Sequence, residues 1–95
     1  MEEGTDNSIF IGTKPFMNYV TGVVVQFTTK GAKEVLVKAR GKFISRAVDV
    51  VELAVKRFLK NKIQIKNITI DSEEFTNKEG KQVHVSTIEI ILESI

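Results

Sequence analysis

About a third of this 95-residue chain is committed to one long antiparallel hairpin, and that commitment limits every fold it can adopt. Residues 62–76 and 82–93 alternate apolar and polar, and Asn77-Lys78-Glu79-Gly80-Lys81 between them supplies turn chemistry. With the turn centred near Glu79, Ile70 and Ile68 face Ile88 and Ile90, while Glu73 and Phe75 face Val85 and Val83. The apolar parity does not hold along either arm. It runs 63, 65, then 68, 70, then Phe75 in the first, and 83, 85, then 88, 90, 92 in the second. A one-residue slip exchanges sheet faces. The outer hairpin therefore turns Phe75, Val83 and Val85 to the side opposite the inner isoleucines. The pattern predicts a bulge or strong twist near Asp71-Ser72 and Ser86-Thr87. It also predicts an arm that leaves the body, whose apolar side needs another subunit or a nucleic acid.

The preceding residues predict strand, helix, strand, helix. Ser8-Ile9-Phe10-Ile11 is a short apolar strand, stopped by Gly12-Thr13-Lys14-Pro15. Pro15 suits the first position of a helix, where its missing N–H is no loss. From Phe16 the apolar residues fall at 16, 17, 20, 23, 24 and 27, at helical spacing. The valines there favour a strand. The helical pattern is preferred because Lys30-Gly31 ends it with a cation in the last turn, then a glycine. Glu34–Arg40 reads as an interior strand, which completes a βαβ unit with a right-handed crossover. After Gly41, Ile44, Ala47, Val48, Val51, Ala54, Val55 and Phe58 form one helical stripe, with Phe43, Val50 and Leu53 beside it. This periodicity places Phe58 in the core.

Charge is distributed unevenly. Residues 30–62 hold ten Lys/Arg against three acids, a balance of +7, while the remaining four bases face nine acids, a balance of −5. A basic middle with acidic flanks predicts a one-sided field. Its densest part is Lys38-Ala39-Arg40-Gly41-Lys42, continuing to Arg46. A strand end beside a helix start brings N–H groups and cations together in a way that suits phosphate. The chain has no cysteine, which excludes disulfides and thiolate metal sites. No apolar run approaches the ~18–20 residues of a membrane span. The polar, acidic start lacks a signal peptide's basic region. The expectation is a cytoplasmic protein with a short flexible tail over residues 1–7 and one domain over 8–95.

Catalytic chemistry finds no support. His84 is the one histidine, Ser45 and Asp49 lack a base, and Glu73 and Glu74 point to opposite faces. Gly41-Lys42 lacks the other glycine of a phosphate loop. The chain is expected to be no enzyme, with no cofactor and no metal.

Taken together, several motifs resemble the Alba family, small dimeric chromatin proteins of archaea. They are Ile11-Gly12-Thr13-Lys14-Pro15 with Met17-Asn18-Tyr19, the Lys38–Lys42 turn, Ile44-Ser45-Arg46-Ala47-Val48-Asp49, and Val85-Ser86-Thr87-Ile88-Glu89-Ile90. The resemblance covers residues 9–93 and implies an α+β fold, a two-layer β-α-β-α-β-β sandwich. A four-stranded mixed sheet would carry two helices on one face and an extended hairpin arm. It implies a homodimer, or a heterodimer with a paralogue, that binds double-stranded DNA and RNA with little sequence preference, associated with the chromosome. The implied nucleic-acid contacts are Lys14 and Asn18 in the first loop, Arg40 and Lys42 at the turn, and Lys78 and Lys81 at the arm tip. Arg57 and Phe58 would join neighbouring dimers. The chain departs from the family at Thr13, where a lysine is common and subject to acetylation, and in the acidic arm residues Glu73, Glu74 and Glu79. Two other readings stay open: an RNA-binding subunit of a ribonucleoprotein, and a heterodimerisation module with little nucleic-acid affinity.

Overall fold

The computed structural model describes residues 7–95, so residues 1–6 of the expected tail lie outside the described residues. The Asn7 carbonyl accepts the Leu36 N–H at 3.0 Å and leads into the first strand. The order is β1 (Ser8–Phe10), α1 (Phe16–Thr28), β2 (Glu34–Arg40), α2 (Ile44–Leu53), β3 (Ile63–Thr76) and β4 (Gln82–Ser94). One mixed sheet runs β1-β2-β4-β3, with β1 parallel to β2 and the other neighbours antiparallel.

β2 and β4 are the inner strands of the sheet, and β2 alternates strictly. Val35, Val37 and Ala39 are buried on one side, cross-paired with Leu92, Ile90 and Ile88 of β4. Both helices cover that side: Tyr19, Val20 and Val23 of α1 and Ala47, Val50 and Val51 of α2 join the same core. Periodicity thus overrides the strand propensity of the α1 valines, since only a helix puts residues 19, 20 and 23 on one stripe. Leu36, Lys38 and Arg40 alternate onto the opposite face, which no helix among the described residues covers.

Four local expectations are corrected. Pro15 is the cap before α1 rather than its first residue; its ψ of 140° is extended, and its carbonyl accepts the Asn18 N–H at 2.9 Å. Lys30 lies past the last turn of α1, which holds no cation; the chain closes through Thr29 and Lys30 N–H groups on the Val25 carbonyl, then turns at Gly31 with φ of 68°.

The α2 stripe is also displaced. Val50 is buried and Val48 is exposed, the reverse of the expected assignment. The residues Ala54–Phe58 form a π-helical turn, closed by the Leu59 N–H on the Ala54 carbonyl at 2.8 Å. A π turn inserts an extra residue into the helical count. Leu59 therefore takes the next core position, 3% exposed, and Phe58 is turned out at 52%.

The bulge lies elsewhere than expected. The hairpin register is the one centred on Glu79, and pairing is unbroken from Asn67↔Ile91 to Thr76↔Gln82. The irregularity is between Ile65 and Asn67, at Lys66. There it returns the first arm's isoleucines to the helix side after one extra residue. Lys66 reaches across to Glu34, whose carboxylate hydrogen-bonds its ammonium and raises its pKa. Near Asp71 and Thr87 the ladder is regular, so the apolar residues themselves change face. Ile68 and Ile70 share the helix side with Ile90 and Ile88, whereas Phe75 and Val83 lie on the open side.

β2 ends at Arg40, opposite Thr87, and beyond that pair the hairpin continues as two strands. Five further pairs at ~3.3 Å each carry the arm about 17 Å past the body. The molecule is accordingly elongated, 47 × 28 × 25 Å. The helices leave most of β3 uncovered: Ile65, Ile68 and Ile70 remain exposed on its helix side.

Candidate nucleic-acid interface

Because β1 and β2 are parallel, both strands exit the sheet at the same end. The Ile11 N–H to Lys38 carbonyl bond, 2.9 Å, extends their pairing. The chain then folds over Tyr19. Its buried ring carries a hydroxyl that accepts the N–H groups of Gly12 and Lys14, each at 3.0 Å. The Arg46 guanidinium lies 5.8 Å above the same ring and donates to the Lys14 carbonyl at 2.7 Å. One aromatic residue thus ties the first loop to the start of α2. The N–H groups of Gly12 and Lys14 and the Lys14 carbonyl are thus satisfied internally, and the Lys14 side chain remains exposed. Asn18 is exposed one turn into α1.

At the end of β2 the chain must reverse into α2 within a few residues. Gly41 does this with φ of 58°, in the left-handed region that disfavours a Cβ. The short 3-10 turn Gly41–Phe43 follows, and Lys42 sits exposed on it, 5.5 Å from the Phe43 ring. Lys42 and Arg46 are four residues apart on a continuous helical path, a spacing that puts them on one face. The structure thereby gathers Lys14, Lys42 and Arg46 at one end of the molecule. In the sequence Arg46 stands among the basic residues after Gly41 with nothing local to assign it a role. Its signal was the spacing from Lys42, but the tie to Lys14 spans 32 positions.

Arg40 behaves differently. It lies on the open face and pairs with Glu73 of the arm, 3.1 Å, both side chains more than half exposed. Lys38, on the same face, is 3.6 Å from Glu89. Two of the four basic residues around Gly41 are therefore matched by carboxylates. The arm tip is closed by Asn77, whose Oδ1 accepts the Glu79 and Lys81 N–H groups at 2.9 and 3.0 Å. Lys78 and Lys81 are exposed there. Along the strand, Lys81 lies about 20 Å beyond Thr87, so within one chain the tip and the turn are separate patches. His84 and Glu74 lie 3.6 Å apart on the arm's other face. Arg57 and Phe58 are exposed at the far end of the α2 path, about 20 Å from Ile44. Arg57 borders a shallow groove of about 450 Å³ with Phe16 and Leu53. Among the described residues no cluster of His, Asp or Glu could hold a metal ion.

The molecule is thus a small two-layer α+β domain with a cationic loop–turn–helix end and a projecting β-arm. The Alba family profile matches residues 7–72, and the chain belongs to that family. It is 51% identical over 87 residues to the DNA/RNA-binding protein Alba of Methanococcus maripaludis, covering 92% of this chain and 97% of that one. Over the same length it is 52% identical to DNA/RNA-binding protein Alba 1 of Archaeoglobus fulgidus, covering 92% and 94%. Alba from Thermoplasma volcanium superposes with a TM-score of 0.82 at 44% identity, covering 92% and 99%. Trypanosoma brucei ALBA1 does so at 0.72 and 27%, covering 93% of this chain and 68% of its own.

Proposed function

We propose that the protein binds double-stranded DNA and RNA through their phosphate backbones, as a dimeric architectural protein of the chromosome in the cytoplasm. The observation that carries this is the Tyr19 junction, which ties the backbone of Lys14 to Arg46, with Lys42 four residues before Arg46 on the same helical path. Its kinship with proteins named for DNA and RNA binding supports the same reading. Lys14, Asn18, Lys42 and Arg46 hold phosphate, and Arg40 joins them when it leaves Glu73. Lys78 and Lys81 extend the contact along the strand. These residues are backbone-binding types, so sequence preference is weak. Two copies associate through the exposed Ile65, Ile68 and Ile70 of β3, an apolar strip on an edge strand that calls for a partner. Arg57 and Phe58 mediate contact between adjacent dimers.

The test is gel retardation of duplex DNA, and of structured RNA in parallel, across a salt series. If a dimer neutralises about six phosphates, log K falls with log[salt] with a slope of about −5. The R40A/K42A double variant weakens binding to all sequences alike; a loss confined to one sequence class contradicts the proposal. The Arg40–Glu73 pair favours a second reading, a module that binds a paralogous chain with little affinity for nucleic acid. Retention on immobilised DNA at ~0.15 M salt counts against it.

A further inference from the structure

The open face of the sheet holds a groove of about 480 Å³, lined among others by Phe10, Lys38, Arg40, Asp71, Thr87 and Glu89. That is within the size range of small-ligand sites. Phe10 is its unusual member. The ring ends β1 on the side away from the core and is 66% exposed. Its parallel-strand partner Lys38 holds an ammonium 5.4 Å from the ring centre, and Glu89 lies 3.6 Å from that ammonium. An uncovered aromatic on a sheet face, beside cations and above hydrogen-bonding side chains, has the composition of a base-stacking platform.

We propose that this groove binds an unpaired base of a single-stranded or looped nucleic acid, stacked on Phe10, with its phosphate directed to the Arg40–Lys42 turn. The inference rests on the reading above that the turn holds phosphate. A base entering over the ring moves the Lys38 ammonium toward Glu89, where its charge stays paired. Thr87 and the carboxylates of Asp71 and Glu89 then accept from the amino groups of the base. Bases inside a duplex cannot reach the ring, because their faces are stacked on their neighbours. The groove's carboxylates would also suit a basic peptide. Two of the three are already matched, however: Glu73 by Arg40 and Glu89 by Lys38. The third, Asp71, has one oxygen accepting the Ser72 N–H at 2.8 Å. Little unmatched negative charge is left for a cationic segment, while the ring is open.

The experiment compares wild type, Phe10→Leu and Phe10→Trp on a labelled single-stranded oligonucleotide and on the duplex of the same sequence at one salt concentration. Leucine keeps the apolar bulk and removes the π face. The expected result is single-strand binding about five- to tenfold weaker for Phe10→Leu, with duplex affinity unchanged. Phe10→Trp retains single-strand binding, and its indole, in a chain without tryptophan, is quenched by the single strand and not by the duplex. Unchanged single-strand affinity in Phe10→Leu overturns the inference, as does an equal loss on both ligands. Duplex binding by the wild type together with single-strand binding that Phe10→Leu leaves unchanged defeats this inference alone. Failure of the wild type to bind either ligand defeats the proposed function with it.

Discussion

Replacing Glu73 by glutamine should tighten the hold on duplex DNA. In the structure its carboxylate takes Arg40 at 3.1 Å, with the two side chains 57% and 55% exposed. For Arg40 to bind a phosphate, that pair must open. An exposed pair of this kind is worth about 0.2–1 kcal/mol. Opening it in both subunits of a dimer costs about 0.4–2 kcal/mol, so E73Q should lower Kd by roughly two- to thirtyfold. Freed arginines also release more counterions, and the salt slope should steepen by up to about 0.9 for each subunit. Glu74 provides the control. It is the neighbouring residue with the same charge, but it faces His84 on the other side of the arm. E74Q makes the same change in net charge without touching Arg40. The assay is anisotropy of a labelled duplex over a salt series for wild type, E73Q and E74Q, with thermal melts to confirm folding. Equal effects of E73Q and E74Q would refute the local competition, leaving only a change in total charge. No change for either would remove Arg40 from the phosphate contact.

Other outcomes follow from packing. Ile70 is 77% exposed in the single chain, so Ile70→Asp should shift fold stability by less than about 0.5 kcal/mol yet move the particle from dimer toward the 10.7 kDa chain in analytical ultracentrifugation. A dimer that persists unchanged would place the subunit contact elsewhere. Leu59→Ala should cost about 2–5 kcal/mol in denaturant unfolding, because its side chain is buried after the π turn. Phe58→Ala should cost about 1 kcal/mol, since half of that ring is already in solvent. A reversed order would mean that the helix runs regularly through Phe58.

What could be read from the chain was what depends on near neighbours. The bounds of β2 follow from its alternation, and the hairpin register from a turn whose Asn77, Gly80 and flanking parity permit one centre. The basic stretch around Gly41 was legible as charge, and as a turn between a strand and a helix. Three features were not legible, and each depends on packing between parts of the chain far apart in sequence. The π turn differs from a regular one by a single position, and only the requirement that Leu59 rather than Phe58 fill the core selects it. The Arg40–Glu73 pair exists because the order β2-β4-β3 lets an arginine on one strand reach over its neighbour to a third. Tyr19 becomes the clamp of the first loop only when α1 lies on the sheet beside α2, so that Arg46 can reach the Lys14 carbonyl. Periodicity and turn chemistry are local and are written in the sequence. The pairing of charges is settled by which strands lie side by side, and that is decided by the burial of the whole core at once.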